Sequence, residues 1–194
     1  MIDRFKEMGN PPSAGVWALT RRCSMNCKHC GSRAGRKRGD ELTIDEMLRL
    51  ADDLLELGNR RMTLSGGEPL MREEWPQVAK RLSSGGSNVN MISNGSLFDE
   101  HTLDQAREAG LVNMGFSIDG DETVHNMIRR KPDSFGRITL KDFVAMDRIA
   151  GWGEQMYSFD ATFSPKGSDG EPRRLFDWHT GAVDPQMASI YAAF

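Results

Sequence analysis

The cysteines of this chain are gathered in one short segment. Cys23, Cys27 and Cys30 are the only three among 194 residues, and they read Cys-Ser-Met-Asn-Cys-Lys-His-Cys. An odd number of thiols in so short a loop does not make a disulfide framework. Thiolates at this spacing are typical ligands of a soft metal ion or an iron–sulfur cluster. Three of them leave one coordination position open, and an open position on a metal centre is where chemistry takes place.

Structural zinc is the alternative interpretation of the same cysteines, and it requires a fourth ligand. His29 is the nearest histidine, but it adjoins Cys30 and points elsewhere if both neighbouring cysteines bind. The remaining histidines lie far along the chain, and there is no second Cys-x-x-Cys pair. The spacing therefore favours a cluster, with zinc as the less favoured reading.

Composition places the chain among ordinary globular proteins. Its length allows one domain with a sizeable core, and 38% hydrophobic and 27% charged residues are unremarkable. The sequence has no long apolar run and no signal peptide, so we expect a cytoplasmic protein with reduced cysteines. The net charge of −3 by itself says little about nucleic acid, and we expect neither a nucleic-acid partner nor a membrane. Two basic runs, 33–38 and 129–131, are typical of solvated loops, with docking of an acidic partner as the alternative.

Strands and helices alternate over most of the chain. The pattern predicts strands at 16–20, 61–65, 88–93 and 112–118, the first of them buried, and a late helix from about 135 to 149. A capping box at Thr43 and an N-cap at Asp99 mark two helix starts. This rhythm indicates parallel strands joined by helical crossovers. The expected fold class is α/β, a partial (β/α) barrel of about four to five units, open rather than closed.

The domain organisation follows from the same pattern. We expect the barrel core to occupy residues 1–150 and an irregular tail to occupy 151–194. Alternating residues predict one strand in the tail at 157–163, and a stripe of apolar residues from 187 to 194 predicts a short terminal helix.

Polar and glycine-rich turns follow the carboxyl ends of the predicted strands. After the cysteine loop come Gly66-Gly67-Glu68-Pro69, Asn94-Gly95 and Asp119-Gly120, each directly behind a strand. Each turn alone is weak evidence, since Asn-Gly and Asp-Gly usually mark plain turns. In barrels and open sheets of parallel strands this edge carries the active site. The four turns therefore predict one functional edge.

The motifs together resemble the radical S-adenosylmethionine superfamily over roughly residues 16–150. The resemblance rests on Cys23-x-x-x-Cys27-x-x-Cys30 followed by Gly-Gly-Glu-Pro, and segments 64–70, 92–95 and 116–120 look most like SPASM-type peptide- and cofactor-maturing enzymes. It implies that the three cysteines hold a 4Fe–4S cluster whose fourth iron binds S-adenosylmethionine. It further implies that S-adenosylmethionine is cleaved reductively to a 5′-deoxyadenosyl radical, which abstracts hydrogen from a peptide or peptide-derived substrate. An electron donor such as flavodoxin or ferredoxin is implied as well.

The resemblance also implies a set of cofactor-binding residues. Glu68 is expected to hold the methionine ammonium, beside glycines that let the ligand approach the backbone. His29 matches a position near the adenine, with a solvated loop histidine as the alternative. Asn94 and Asp119 match positions near the ribose and methionine. The full set is His29, Gly66, Gly67, Glu68, Pro69, Ser93, Asn94, Ser117 and Asp119.

The chain departs from the family pattern in two respects. The family core has six strand–helix units, whereas four are counted here with one further strand, and no cysteines remain for auxiliary clusters, so we expect no complete SPASM domain. An open sheet edge needs cover, which predicts self-association or a partner chain. Two other functions stay open: a catalytically impaired cluster- and S-adenosylmethionine-binding module acting through a partner, and a zinc-stabilised interaction protein.

Overall fold

The computed structural model describes residues 13–138, together with the backbone of residues 176–177 and 182–183. The strand predicted at 157–163, the terminal helix and the stretch 139–149 lie outside the described residues. None of the described helices is long and apolar enough to cross a membrane.

A sheet of four parallel strands forms the frame of the structure. The strands are β1 (Ala14–Ala18), β2 (Arg61–Ser65), β3 (Asn88–Ser93) and β4 (Leu111–Phe116), and they lie side by side in chain order. The register shifts between Val89 and Asn90 where β3 pairs with β4. The expected α/β architecture of parallel strands in an open sheet is confirmed.

Three helices connect the strands: α1 (Ile44–Glu56), α2 (Trp75–Ser84) and α3 (Glu100–Glu108). The capping box at Thr43 forms as predicted, and the Asp99 side chain caps α3 by accepting from a backbone N–H. Pro76 lies in the first turn of α2, where a proline costs no intrahelical hydrogen bond. A single 3₁₀ turn at Pro69–Met71 follows β2.

The core lies between one face of the sheet and the three helices. Right-handed crossovers place consecutive helices on the same face of a parallel sheet. That face is formed by buried strand residues, and the helices cover it with their own apolar side chains. The strand residues are Met62, Leu64, Val89, Met91, Leu111 and Met114, and the helix residues include Met47, Ala51, Val78, Leu82, Leu103 and Ala106.

The prediction of a buried first strand is wrong in both bounds and burial. β1 begins two residues earlier than predicted, and Val16 is 73% exposed. Val16 pairs with Thr63 in register, so both side chains lie on the face that α1–α3 do not cover. An apolar residue on that face of an outer strand has no helix against it.

Residues from Ile118 onward belong to a second compact unit. Its described helices are α4 (Glu122–Arg129) and α5 (Ser134–Arg137), and the backbone of β5 (Phe176–Asp177) and β6 (Ala182–Val183) forms an antiparallel pair. The sequence pattern missed α4, whose start is capped by the Asp121 side chain. The start of the helix predicted from about 135 to 149 overlaps α5, which ends at Arg137 because Ile138 leaves helical geometry, and the rest of that prediction lies outside the described residues.

Candidate functional site

The cysteine loop is closed at its base by hydrogen bonds. The N–H of Cys23 donates to the carbonyl of Gly35 at 2.9 Å, and the N–H of Gly35 donates to the carbonyl of Arg21 at 2.8 Å. The guanidinium of Arg21 also donates to the carbonyls of Ser32 and Arg33 in the loop. All three cysteines therefore lie on a segment whose two ends are tied together.

The cysteine sulfurs accept hydrogen bonds of the kind that stabilise thiolates. All three thiols are half-buried and are not joined by disulfides. The N–H of Met25 lies 3.4 Å from the Cys23 sulfur, and the N–H of Ala34 lies 3.3 Å from the Cys30 sulfur. Donors of this kind to ligating sulfurs are a general feature of iron–sulfur sites. The donor set thus suits the cluster that the sequence predicts.

The two outer thiols differ in acidity. Burial raises the pKa of Cys23, and hydrogen bonds only partly oppose it. The pKa of Cys30 is lowered, chiefly by the hydroxyl of Ser32 and then by the N–H of Ala34. Cys30 is therefore the thiol that ionises more readily and is better prepared to bind a metal.

No three His, Cys, Asp or Glu side chains within the described ranges come together as ligands of one metal ion. A four-iron cluster requires a different geometry from a single metal ion. Each cysteine binds a separate iron, so the sulfurs need not converge on a single point.

The turn after β2 lies against the stem of the cysteine loop. The N–H of Gly67 donates to the carbonyl of Thr20 at 2.8 Å, and the N–H of Glu68 donates to that of Arg22 at 2.9 Å. A Cβ at Gly66 would lie 2.4 Å from the Thr20 carbonyl, and one at Gly67 would lie 2.4 Å from that of Arg22. The chain's own backbone therefore requires both glycines, apart from any ligand.

Glu68 joins this turn to the end of β3. Its carboxylate accepts from the Ser93 hydroxyl at 2.8 Å, the Asn94 N–H at 2.7 Å and the Leu70 N–H at 3.2 Å. The side chain is completely buried, and its charge is one of the smaller causes that raise the pKa of Cys23. Glu68 therefore positions the neighbouring turns and also acts electrostatically on the first cysteine.

Asn94 extends the same network to the cysteines. Its side-chain nitrogen lies 3.7 Å from the Cys23 sulfur, while its oxygen accepts from the N–H of Ser96 at 2.9 Å. The hydroxyls of Ser96 and Ser24 lie 2.9 Å apart and form a second link between the two loops. Three sequence motifs thus meet in one hydrogen-bonded network.

A buried ion pair that the sequence analysis missed supports the stem of the cysteine loop. The Glu41 carboxylate accepts from the Thr20 hydroxyl and from the N–H groups of Arg21 and Arg38. Arg72 lies 3.7 Å from Glu41, with side-chain exposures of 6% and 8% for arginine and glutamate. Thr20 and Glu41 are 21 positions apart in sequence, so no local sequence pattern predicts the contact.

Asp119, in the second unit, is engaged by Arg129. The guanidinium donates to both carboxylate oxygens, with an Nη2 to Oδ1 distance of 3.0 Å. His125 lies beside the pair, accepting from the Asp119 N–H at 3.3 Å and contacting the Ser134 hydroxyl at 2.9 Å. Burial, and then the nearby Arg129, lowers the pKa of His125. The reading of 129–131 as a solvated basic run is therefore wrong for Arg129, which is buried.

The remaining predicted residues lie at the carboxyl edge of the first unit. His29 is exposed on the cysteine loop, and Pro69 is buried at the start of the 3₁₀ turn. The N–H of Ser117 donates to the carbonyl of Ser93 at 3.0 Å, directly after β4.

Known proteins share this arrangement over the same stretch. The family model that matches, over residues 17–140, is the Radical SAM superfamily. Over 132 residues the chain is 34% identical to the AdoMet-dependent heme synthase of Methanosarcina barkeri, covering 67% of this chain and 38% of that protein. It is also 34% identical over 120 residues to the PqqA peptide cyclase of Granulibacter bethesdensis, covering 61% and 32%.

Solved structures share the fold at low identity. Streptococcus suis SuiB bound to S-adenosylmethionine matches with a TM-score of 0.62 and 12% identity, over 90% of this chain and 47% of that chain. Native anSMEcpe with bound AdoMet and Kp18Cys peptide gives a TM-score of 0.54 and 17% identity, over 69% and 39%. The chain thus spans less than half the length of these relatives. Because the family model covers well over half of this chain, from β1 to just beyond α5, the protein belongs to the radical SAM superfamily.

Proposed function

We propose that this chain is the core of a radical S-adenosylmethionine enzyme that acts on a peptide or peptide-derived substrate. Membership of the superfamily implies a 4Fe–4S cluster and S-adenosylmethionine as cofactors. The observation that carries the proposal is the closed loop between Arg21 and Gly35, which holds three half-buried thiols at the carboxyl edge of the sheet. In this proposal the core spans residues 1–150, and residues 151–194 form a tail.

The cysteines have the first role in this proposal. Cys23, Cys27 and Cys30 each bind one iron and leave one iron for S-adenosylmethionine. When bound, the cluster and S-adenosylmethionine supply a one-electron cleavage that yields a radical able to abstract hydrogen from an unactivated carbon. The chain itself holds the sulfurs in place, and the N–H groups of Met25 and Ala34 stabilise their negative charge.

The turns after β2 and β3 form the proposed binding surface for the amino-acid end of S-adenosylmethionine. The Glu68 carboxylate accepts hydrogen bonds from Ser93 and Asn94, and its negative charge suits the methionine ammonium. That direct contact with Glu68 remains a prediction. The proposed cofactor-binding set is His29, Gly66, Gly67, Glu68, Pro69, Ser93, Asn94, Ser117 and Asp119.

Names among the similar proteins support a peptide as the substrate class. One sequence relative is a PqqA peptide cyclase, and SuiB has been solved bound to its precursor peptide SuiA. The proposal includes a small electron donor of the flavodoxin or ferredoxin kind and a cytoplasmic location, where thiols stay reduced.

Anaerobic reconstitution tests the proposal directly. The protein is loaded with iron and sulfide, and Cys23→Ala, Cys27→Ala and Cys30→Ala are prepared alongside. We expect about four irons per chain and a cluster spectrum in the unsubstituted protein, with loss of both in each variant. Dithionite and S-adenosylmethionine should then yield 5′-deoxyadenosine.

Two other results would favour the alternatives. A cluster that binds S-adenosylmethionine without producing 5′-deoxyadenosine would support a binding module instead of an enzyme. One equivalent of zinc with no cluster after anaerobic loading would support a zinc-stabilised interaction protein and overturn the proposal.

A further inference from the structure

The Asn94 side chain has a fixed orientation at the edge of the cysteine loop. The residue is 6% exposed, and its own N–H is held by the Glu68 carboxylate at 2.7 Å. Its side-chain oxygen accepts from the N–H of Ser96, and this hydrogen bond fixes which end of the amide is the oxygen. The amide NH₂ group consequently faces the Cys23 sulfur at 3.7 Å, a distance suited to an N–H to sulfur hydrogen bond.

The two outer cysteines both have backbone and side-chain donors. The backbone donors include the N–H group of Met25 for Cys23 and that of Ala34 for Cys30. The side-chain donors are Asn94 for Cys23 and the Ser32 hydroxyl for Cys30, the latter at 3.4 Å. Ser32 lies two residues from its cysteine and is exposed, whereas Asn94 is 71 residues from Cys23 and buried. A hydrogen bond to a charged group is stronger where water is excluded, so Asn94 is the more effective donor.

We propose that Asn94 is a positioning and tuning residue that donates a hydrogen bond from its side-chain amide to the Cys23 sulfur and thereby raises the reduction potential of the cluster. This inference rests on the proposed function, because it needs the cluster to be bound by Cys23. It gives Asn94 a role toward the cluster in addition to the cofactor contact predicted from the sequence.

The physical reason is the balance of charge at the sulfur. Adding an electron to a cluster increases its negative charge, and hydrogen bonds donated to its sulfurs favour the more negative state. Glu68 lies in the same network with a charge of the opposite effect, since it acts on Cys23 as a negative neighbour. The Asn94 amide therefore offsets a carboxylate that the structure needs for positioning.

Substitution of Asn94 provides the test. Asn94→Asp keeps the size of the side chain but removes the NH₂ donor, and Asn94→Ala removes the donor without adding charge. The matched controls are Asn88→Asp and Asn88→Ala, at the exposed start of β3. Six residues of strand separate the two positions by roughly 20 Å.

The readouts are the iron content and the midpoint potential of the cluster. Electron paramagnetic resonance during a redox titration without S-adenosylmethionine measures the midpoint potential. We expect both Asn94 variants to hold as much iron as the unsubstituted protein and to show lower midpoint potentials, with the larger decrease in Asn94→Asp. The Asn88 variants should titrate like the unsubstituted protein.

Three outcomes would overturn the inference, and they have different meanings. Unchanged midpoint potentials in iron-loaded Asn94 variants would refute the role of Asn94 while leaving the proposed function intact. Equal decreases in the Asn88 variants would show that the effect is not specific to Cys23. Failure of the unsubstituted protein to bind a cluster would overturn both the inference and the proposed function. Asn94→Asp keeps the test usable if the smaller side chain of Asn94→Ala disturbs the loop.

Discussion

Two carboxylates in this molecule accept hydrogen bonds from different kinds of donor. Glu68, at the carboxyl edge of the sheet, accepts from the Ser93 hydroxyl and from the N–H groups of Asn94 and Leu70, all of which are neutral donors. Asp119, in the second unit, is held by the guanidinium of Arg129, which donates to both of its oxygens. Both residues follow strands, and both were predicted from the sequence as cofactor-binding residues.

The difference separates two uses of a charged side chain. An ion pair balances its charge internally, so the Asp119 pair mainly stabilises the local structure. The Glu68 carboxylate acts electrostatically on Cys23, where it adds to the effect of burial in raising the pKa. Glu68 is therefore placed to influence the chemistry of the cysteine loop, whereas the described contacts of Asp119 concern its own unit.

Removal of the Asp119 carboxylate should give the largest loss of stability. Asp119→Ala takes away an acidic partner of Arg129 from a pair whose side chains are 9% and 15% exposed, and breaking a largely buried pair in this way costs about 3–5 kcal/mol. Asp133→Ala is the matched control, because Asp133 and Arg137 form an ion pair with exposures of 54% and 49%. Exposed pairs contribute about 0–1 kcal/mol. Denaturant unfolding measures the free energy of unfolding of both variants. Equal losses would show that the Asp119 pair contributes no more to stability than an exposed pair.

A methyl group on Gly67 should give the next largest effect. Gly67→Ala places a Cβ 2.4 Å from the Arg22 carbonyl, so the turn and the stem of the cysteine loop must separate. Overpacking of this kind costs about 1–3 kcal/mol, and we expect iron binding after anaerobic reconstitution to fall with it. Gly31→Ala, within the same loop, is the control, since nothing lies within 4 Å of its Cβ position. Full iron content and unchanged stability in Gly67→Ala would show that the contact is dispensable.

The parts of the fold that the sequence predicted correctly are those with local causes. Thr43 and Glu46 form the reciprocal hydrogen bonds of a capping box within one helical turn, and Asp99 caps α3 from the position before its first residue. The parallel order of the strands follows from the helix that lies between each strand and the next along the chain. The caps depend on residues a few positions apart, and each helix or strand has its own periodic pattern, so the sequence reveals both.

The features that the sequence analysis missed depend on long-range contacts. Glu41 reaches Thr20 across 21 positions, and Asn94 reaches Cys23 across 71. Val16 is an apolar residue of the kind found in cores, but it lies on the face that α1–α3 do not cover. Only α4 had a local signal, namely Asp121 at the N-cap ahead of Val124 and Ile128, three and seven positions later.

Substitution of Glu68 tests whether its charge reaches the cofactor site. Glu68→Gln replaces one acceptor oxygen by an NH₂ group, which would face a donor such as the Ser93 hydroxyl or the N–H of Asn94 or Leu70, at a cost of about 1–3 kcal/mol. We expect the affinity for S-adenosylmethionine to fall by roughly tenfold while iron content is kept, because a tenfold change corresponds to about 1.4 kcal/mol. Calorimetry measures the affinity, with the exposed Glu73→Gln as the control. Unchanged affinity in Glu68→Gln would remove Glu68 from the cofactor-binding set.

The smallest expected effect is a dependence on acid pH that originates at Glu41. Burial alone would raise the pKa of this carboxyl, but the N–H groups of Arg21 and Arg38 and the Thr20 hydroxyl outweigh it, so the pKa is lowered. A lowered pKa in the folded state means that the stabilisation is complete above the unfolded value of roughly 4.3 and is lost as the pH falls through the folded value. Glu41→Gln does not titrate, so its free energy of unfolding should vary less with pH.

The measurement is denaturant unfolding of both proteins from neutral pH down through the acid range. The difference between them should be greatest at neutral pH and should shrink as Glu41 becomes protonated. Other carboxyls whose pKa is lowered, such as those of Glu46 and Asp99, are present in both proteins and cancel in the difference. A difference that stays constant across the acid range would show that the charge of Glu41 does not support the cysteine loop, and that its contacts with Thr20 and Arg21 act as neutral hydrogen bonds.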